Sequence, residues 1–248
     1  MTSLYLLAPL FLVIAFLYSS VGLGGGSAYI AVLALSGVPY TVIPMIALFL
    51  NLIVSGLSWA GYFRAGHFQV RTLLPFAVTS IPMAHLGGLI PLSEKPFYLI
   101  LGAVLFLAAL RIFISNEIQP LQRKISPAGK WLAALGIGAV LGLLAGMVGI
   151  GGGIFLGPVL LLLHLANAKQ TAAITSAFIF LNSLSGFLAH LSRQPPVWSL
   201  LLPFMAVVLL GAQLGSYTGA NLLSLRQLQK TLGALLLVAS IMVGSKIL

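Results

Sequence analysis

One pattern able to do chemistry occurs twice in this chain of 248 residues. Val21-Gly22-Leu23-Gly24-Gly25-Gly26 and Val148-Gly149-Ile150-Gly151-Gly152-Gly153 both read Val-Gly-aliphatic-Gly-Gly-Gly, each within apolar sequence. Three consecutive glycines break a helix, and a membrane tolerates broken backbone only where it lines a cavity or is covered by protein. Such a break exposes main-chain N–H groups. At the start of the expected half-helices Ser27–Leu35 and Ile154–Leu165, those groups carry the positive end of the helix dipole and suit an anion. The runs are not nucleotide loops, because neither continues as Gly-x-Gly-x-x-Gly and no Gly-Lys-Ser/Thr follows.

Asn51 and Asn182 occupy matching places after the two runs, in Phe49-Leu50-Asn51 and Phe180-Leu181-Asn182. A buried amide in lipid needs partners, which leaves two readings: a hydrogen bond between helices, or a contact to substrate or glycine loop. Ser27, Ser55, Thr175, Ser176, Ser183 and Ser185 are weaker candidates of the same kind. His85 is the candidate intramembrane group for proton coupling, since histidine changes charge near neutral pH. Its competing reading is an interfacial or hydrogen-bonded histidine. His164 and His190 lie near segment ends and read as interfacial. Arg64 closes the second apolar segment, where it either guides anions or snorkels to headgroups.

Carboxylates are nearly missing: Glu94 and Glu117 are the two acids, and both fall between apolar segments. Cation carriers and proton relays ordinarily use membrane carboxylates, so amides, hydroxyls and backbone N–H groups favour an anion. No metal site is expected, as no His-x-x-His or His-Glu-x-x-His spacing occurs. No cofactor is expected either.

These residues need elements to hold them. Hydrophobic residues make up 60% of the chain and charged residues 6%, against about a quarter charged in a soluble domain. The fold class is therefore an all-α polytopic integral membrane protein. Apolar segments run at about Leu4–Leu35, Val42–Tyr62, Leu73–Ile90, Phe97–Phe113, Trp131–Leu165, Ala172–Leu191, Leu200–Leu223 and Leu228–Val243. The net charge of +10 is spread between them, which reads as membrane orientation rather than nucleic-acid binding. The first segment reads as an uncleaved helix, since no basic region precedes it.

The two halves match beyond the glycines. Leu73-Leu74-Pro75-Phe76 recurs as Leu201-Leu202-Pro203-Phe204, and Leu86-Gly87 and Leu101-Gly102 recur as Leu214-Gly215 and Leu232-Gly233. An ordered series of this length implies an internal duplication: residues 1–114 as a first membrane repeat, 115–130 as a cytoplasmic linker and 131–248 as a second repeat, each with about four transmembrane segments. Leu4–Leu35 as one helix would span roughly 48 Å against a hydrocarbon core of about 30 Å, so the first segment of each repeat is read as glycine-broken. If those segments cross, the halves are parallel. If they are re-entrant, the halves are inverted, a form favoured here because it supplies alternating access. Gly138-Gly142-Gly146 and Gly211-Gly215-Gly219 read as close helix packing.

With duplicated glycine motifs, paired asparagines and halves of about four helices, the chain resembles the TauE/SafE family of membrane permeases from about Phe11 to Ile241. The resemblance implies a secondary transporter, an exporter of sulfite or organosulfonates across the inner membrane, with proton coupling as one option. It also implies a site at Gly22, Gly24, Gly25, Gly26 and Asn51 with Gly149, Gly151, Gly152, Gly153 and Asn182. The absence of a membrane carboxylate leaves His85, substrate protonation or water as the proton route. The expected partners are a small anionic substrate and membrane lipid, with no nucleic acid. A homodimer is compatible with the uniformly apolar exterior, on which no dimer face stands out. The rivals are a carrier or channel for another anion, a non-transporting assembly factor, and an intramembrane serine enzyme. The last lacks a Gly-x-Ser-x-Gly elbow.

Overall fold

The computed structural model describes residues 7–114, 127–163, 165–196 and 198–222. The last apolar segment, Leu228–Val243, His164 and most of the expected linker lie outside them. The described residues form α1 (Ala8–Ser20), α2 (Gly26–Leu35), α3 (Ile43–Arg64), α4 (Val70–Leu89), α5 (Glu94–Ile114), α6 (Pro127–Val148), α7 (Gly153–Leu162), α8 (Ala168–Arg193) and α9 (Trp198–Asn221). Five of them, α3, α4, α6, α8 and α9, contain stretches long and apolar enough to cross a membrane. The only regular secondary structure among the described residues is helical, and the chain is multi-pass. Residues 127–130, expected in the linker, are the first turn of α6. The second half-helix ends at Leu162 rather than Leu165.

Both expected breaks are present, between Ser20 and Gly26 and between Val148 and Gly153. Gly22, Gly25, Gly149, Gly151 and Gly152 have φ between +76° and +91°, a left-handed conformation that side-chain-bearing residues rarely adopt. The broken ends leave carbonyls without helical partners, and lipid offers none. Side chains supply them. Tyr62 and Ser58 donate to the Ser20 and Ser19 carbonyls at 2.8 and 3.0 Å, and Thr175 donates to Gly22 at 3.0 Å. His190 Nε2 meets the Gly146 carbonyl at 3.0 Å, and Asn51 Nδ2 donates to Gly149 at 3.3 Å.

Glycine stripes set how the long helices pack. Gly138, Gly142 and Gly146 of α6 lie against the backbone of Phe76, Ser80 and Ala84 of α4, so α4 and α6 run parallel. Gly211, Gly215 and Gly219 of α9 lie in the same way against Leu12, Phe16 and Ser20 of α1. Both stripes match the expected close packing. At the centre Gly56 of α3 meets Phe180 of α8, and Gly186 of α8 meets Leu48 of α3, so these two run antiparallel.

These directions define two faces. One carries the C-terminus of α3 and the start of α4, with Arg64 and Arg71. The other carries the start of α3 and the ends of α4 and α8. The end of α1 reaches the level of Tyr62, while Gly24 and Gly26 lie against Asn51, midway along α3. From there α2 runs back to the face where α3 begins. In the second half Gly146 reaches Ala84 near the end of α4, and Gly157 of α7 lies near Thr171 and Thr175 at the start of α8. α7 therefore runs back to the Arg64 face.

Candidate functional site

The two breaks meet around Asn51 of α3 and Ile179 of α8. A Cβ added at Gly24 would strike Asn51 and Ile179. One at Gly26 would strike Asn51, and one at Gly153 would come 2.5 Å from Ile179. One at Gly151 would come within 2.7 Å of Ile179 and 3.2 Å of both Asn51 Nδ2 and Ser183 Oγ. Gly22 instead presses on the backbone of Ala172, and Gly149 on that of Pro44. Gly25 and Gly152 are the N-caps of α2 and α7, both left-handed and without a side chain to cap the first turn. Early N–H groups of both helices thus lack intrahelical acceptors. Both positive ends approach the layer that holds Asn51, one from each face.

Polar atoms without partners gather in this layer. Asn51 and Asn182 are both fully buried. Asn51 Oδ1, both amide atoms of Asn182, Ser183 Oγ and Tyr29 OH make no hydrogen bond among the described residues. Leaving a buried donor or acceptor unpaired costs about 1–3 kcal/mol each, so the layer is built at the expense of stability. Ser27 is satisfied, its Oγ lying 3.0 Å from Tyr18 OH. Ser55 and Ser176 bond back to carbonyls of their own helices, and Ser185 donates to Ile81 at 2.7 Å.

The remaining candidates lie elsewhere. His85 is on the exposed side of α4, its Nδ1 3.3 Å from the Ser185 carbonyl. Arg64 is exposed at the end of α3. His190, expected at an interface, is 4% exposed and holds the end of α6. Ile179 went unrecognised in the sequence. Its signal was position: residues 179, 182 and 183 share one face of α8 at helical spacing. No cluster of metal-ligating side chains occurs among the described residues.

The arrangement offers an anion two helix N-termini and neutral amide and hydroxyl groups, with no carboxylate in either helix. Residues 7–243 match the family model for Sulfite exporter TauE/SafE. "Probable membrane transporter protein y4hK" of Sinorhizobium fredii is 35% identical over 236 residues, covering 95% of this chain and 96% of that protein. "Probable membrane transporter protein YunE" of Bacillus subtilis is 25% identical over 271 residues, covering 99% and 97%. No solved structure matches the chain significantly.

Proposed function

The chain belongs to the sulfite exporter TauE/SafE family and is a membrane transporter rather than an enzyme; from that premise we propose that it exports a small sulfur oxyanion, sulfite or an organosulfonate, across the inner membrane. The observation that carries the proposal is the layer of unpartnered amide and hydroxyl atoms between two left-handed glycine caps. An oxyanion there would accept from the first-turn N–H groups of α2 and α7 and from the amides of Asn51 and Asn182. Each helix terminus contributes about 0.3–1 kcal/mol, rising toward 2 in partly buried geometry. The family description speaks of sulfite, while the two relatives are named only as membrane transporters.

We further propose that residues 1–114 and 131–248 are inverted repeats joined by a cytoplasmic linker, with re-entrant α1–α2 and α6–α7. The opposite return directions of α2 and α7 support this, as does the exchange of partners between halves: α1 lies on α9 as α6 lies on α4. Arg64, Arg71, Lys130 and Lys169 fall on one face and Lys95, Arg193 and Glu94 on the other, which favours the first as cytoplasmic. Transport would proceed by rocking one repeat against the other around the fixed layer.

The test is counterflow of labelled sulfite in proteoliposomes, challenged with sulfoacetate, thiosulfate, sulfate and acetate. Exchange inhibited by the sulfur oxyanions supports the reading. Exchange inhibited only by acetate moves the substrate to carboxylates. Absence of any exchange by well-folded, inserted protein refutes anion exchange at this site.

A further inference from the structure

A polar cavity apart from the central layer lies on the face away from the Arg64–Arg71 loop. It measures about 140 Å³, is partly open, and is lined by the ends of α4, α6 and α8, the starts of α3 and α5, and the connection before α3. A cavity needs roughly 10–15 Å³ to admit one water, so this one accepts a partly hydrated, multi-atom ion. Pro44 and Met147 form part of its wall. Gly149 packs on Pro44, so the cavity shares a wall with the second glycine break.

Its charge comes from a single side chain. Among the described lining residues Arg193 is the only one ionised at all ordinary pH, and none is a carboxylate. Three helix C-termini and two N-termini end around it, so their dipoles largely cancel and Arg193 sets the sign. Arg193 Nη1 donates to the Gly88 and Ile90 carbonyls at 3.1 and 3.4 Å, which anchors the guanidinium at the rim. A guanidinium has five N–H donors, and those on Nε and Nη2 bond to no other described group. Gln194 beside it donates to the Thr41 carbonyl at 2.9 Å.

His190 lines the cavity and is almost fully buried. Its Nε2 faces the Gly146 carbonyl. A carbonyl can only accept, so Nε2 carries the proton and Nδ1 of the neutral ring is an acceptor. A fixed guanidinium donor together with an imidazole acceptor suits an oxyanion that retains one O–H.

We propose that this cavity is a second anion site, which takes a singly protonated small oxyanion as it passes between the central layer and the medium on that face. The proposal rests on the anion-transport reading. It is tested by equilibrium binding of labelled sulfite, near the pH where hydrogen sulfite predominates, to the purified full chain in nanodiscs. Wild type is expected to bind two ions with separable affinities. Arg193→Gln removes one class, and Arg193→Lys restores it. Thr41→Asp places a carboxylate at an exposed rim position, leaves the Arg193 bonds intact and also removes that class. Asn182→Leu removes the other class and spares this one. A single class in wild type that survives both Arg193→Gln and Thr41→Asp overturns the second site and leaves the central reading standing. No sulfite binding by any folded variant overturns both.

Discussion

Asn182 offers the sharpest test of whether the buried amides serve a ligand or the fold. It is fully buried, and neither its Oδ1 nor its Nδ2 has a partner among the described residues. Leucine has nearly the same shape and nothing to satisfy. Replacing the amide with an apolar group of similar size relieves a desolvation penalty of about 1–3 kcal/mol and breaks no hydrogen bond. Asn182→Leu should therefore stabilise the protein while abolishing counterflow. For a chain of this size 1 kcal/mol corresponds to about 2–4 °C in Tm, so a rise of several degrees is expected. Asn51→Leu is the internal control. It relieves the unpartnered Oδ1 but breaks the 3.3 Å bond to Gly149 and strands that carbonyl, so gain and loss offset and its Tm should stay well below that of Asn182→Leu. The assays are thermal melting in nanodiscs, read by size-exclusion, and sulfite counterflow in proteoliposomes. A destabilised Asn182→Leu protein that still exchanges sulfite would refute the reasoning, since the amide would then be structural.

Other substitutions probe the backbone and the remaining candidates. Gly152→Val puts a β-branched side chain at φ +76° with its Cβ 3.1 Å from Phe178. The left-handed conformation alone costs about 1–2 kcal/mol, so counterflow should vanish while surface biotinylation reports normal insertion; retained exchange removes the α7 cap from the site. Gly146→Leu drives a side chain into the backbone of Ala84 and should yield aggregated protein by size-exclusion, whereas a monodisperse product would mean that α4 and α6 are not locked at that point. His85→Gln should leave the pH dependence of counterflow unchanged, within about twofold in rate, because His85 is on the exposed side of α4. A flattened profile would return the proton route to His85.

The breaks were readable because glycine runs have few other uses in an apolar chain. Their left-handed residues follow directly, but Gly24, Gly26 and Gly153 matter for another reason: their missing side chains admit Asn51 and Ile179. That role depends on tertiary approach, which sequence spacing does not encode. The asparagine pair looks symmetric in sequence, yet Asn51 bonds to a glycine loop and the Asn182 amide bonds to none of the described residues. His190 and Ile179 were illegible for a common reason. The buried face of α8 carries the polar residues Thr171, Thr175, Asn182 and His190 together with the apolar Ile179, so neither polarity nor place near a segment end separates its inward side from its lipid side. The His190 bond to the Gly146 carbonyl became visible only once α6 and α8 were placed.

The glycine seam between α1 and α9 also governs how the molecule is made. The backbone of α1 at Leu12, Phe16 and Ser20 fits Gly211, Gly215 and Gly219, which are synthesised roughly two hundred residues later, a delay of some 10–40 s at about 5–20 residues per second. Through that interval α1 sits in the bilayer without its mate. Lipid or the insertion machinery must screen a surface shaped for backbone contact. Assembly therefore includes a late docking step, in which α9 closes on α1 long after α1 has entered the bilayer.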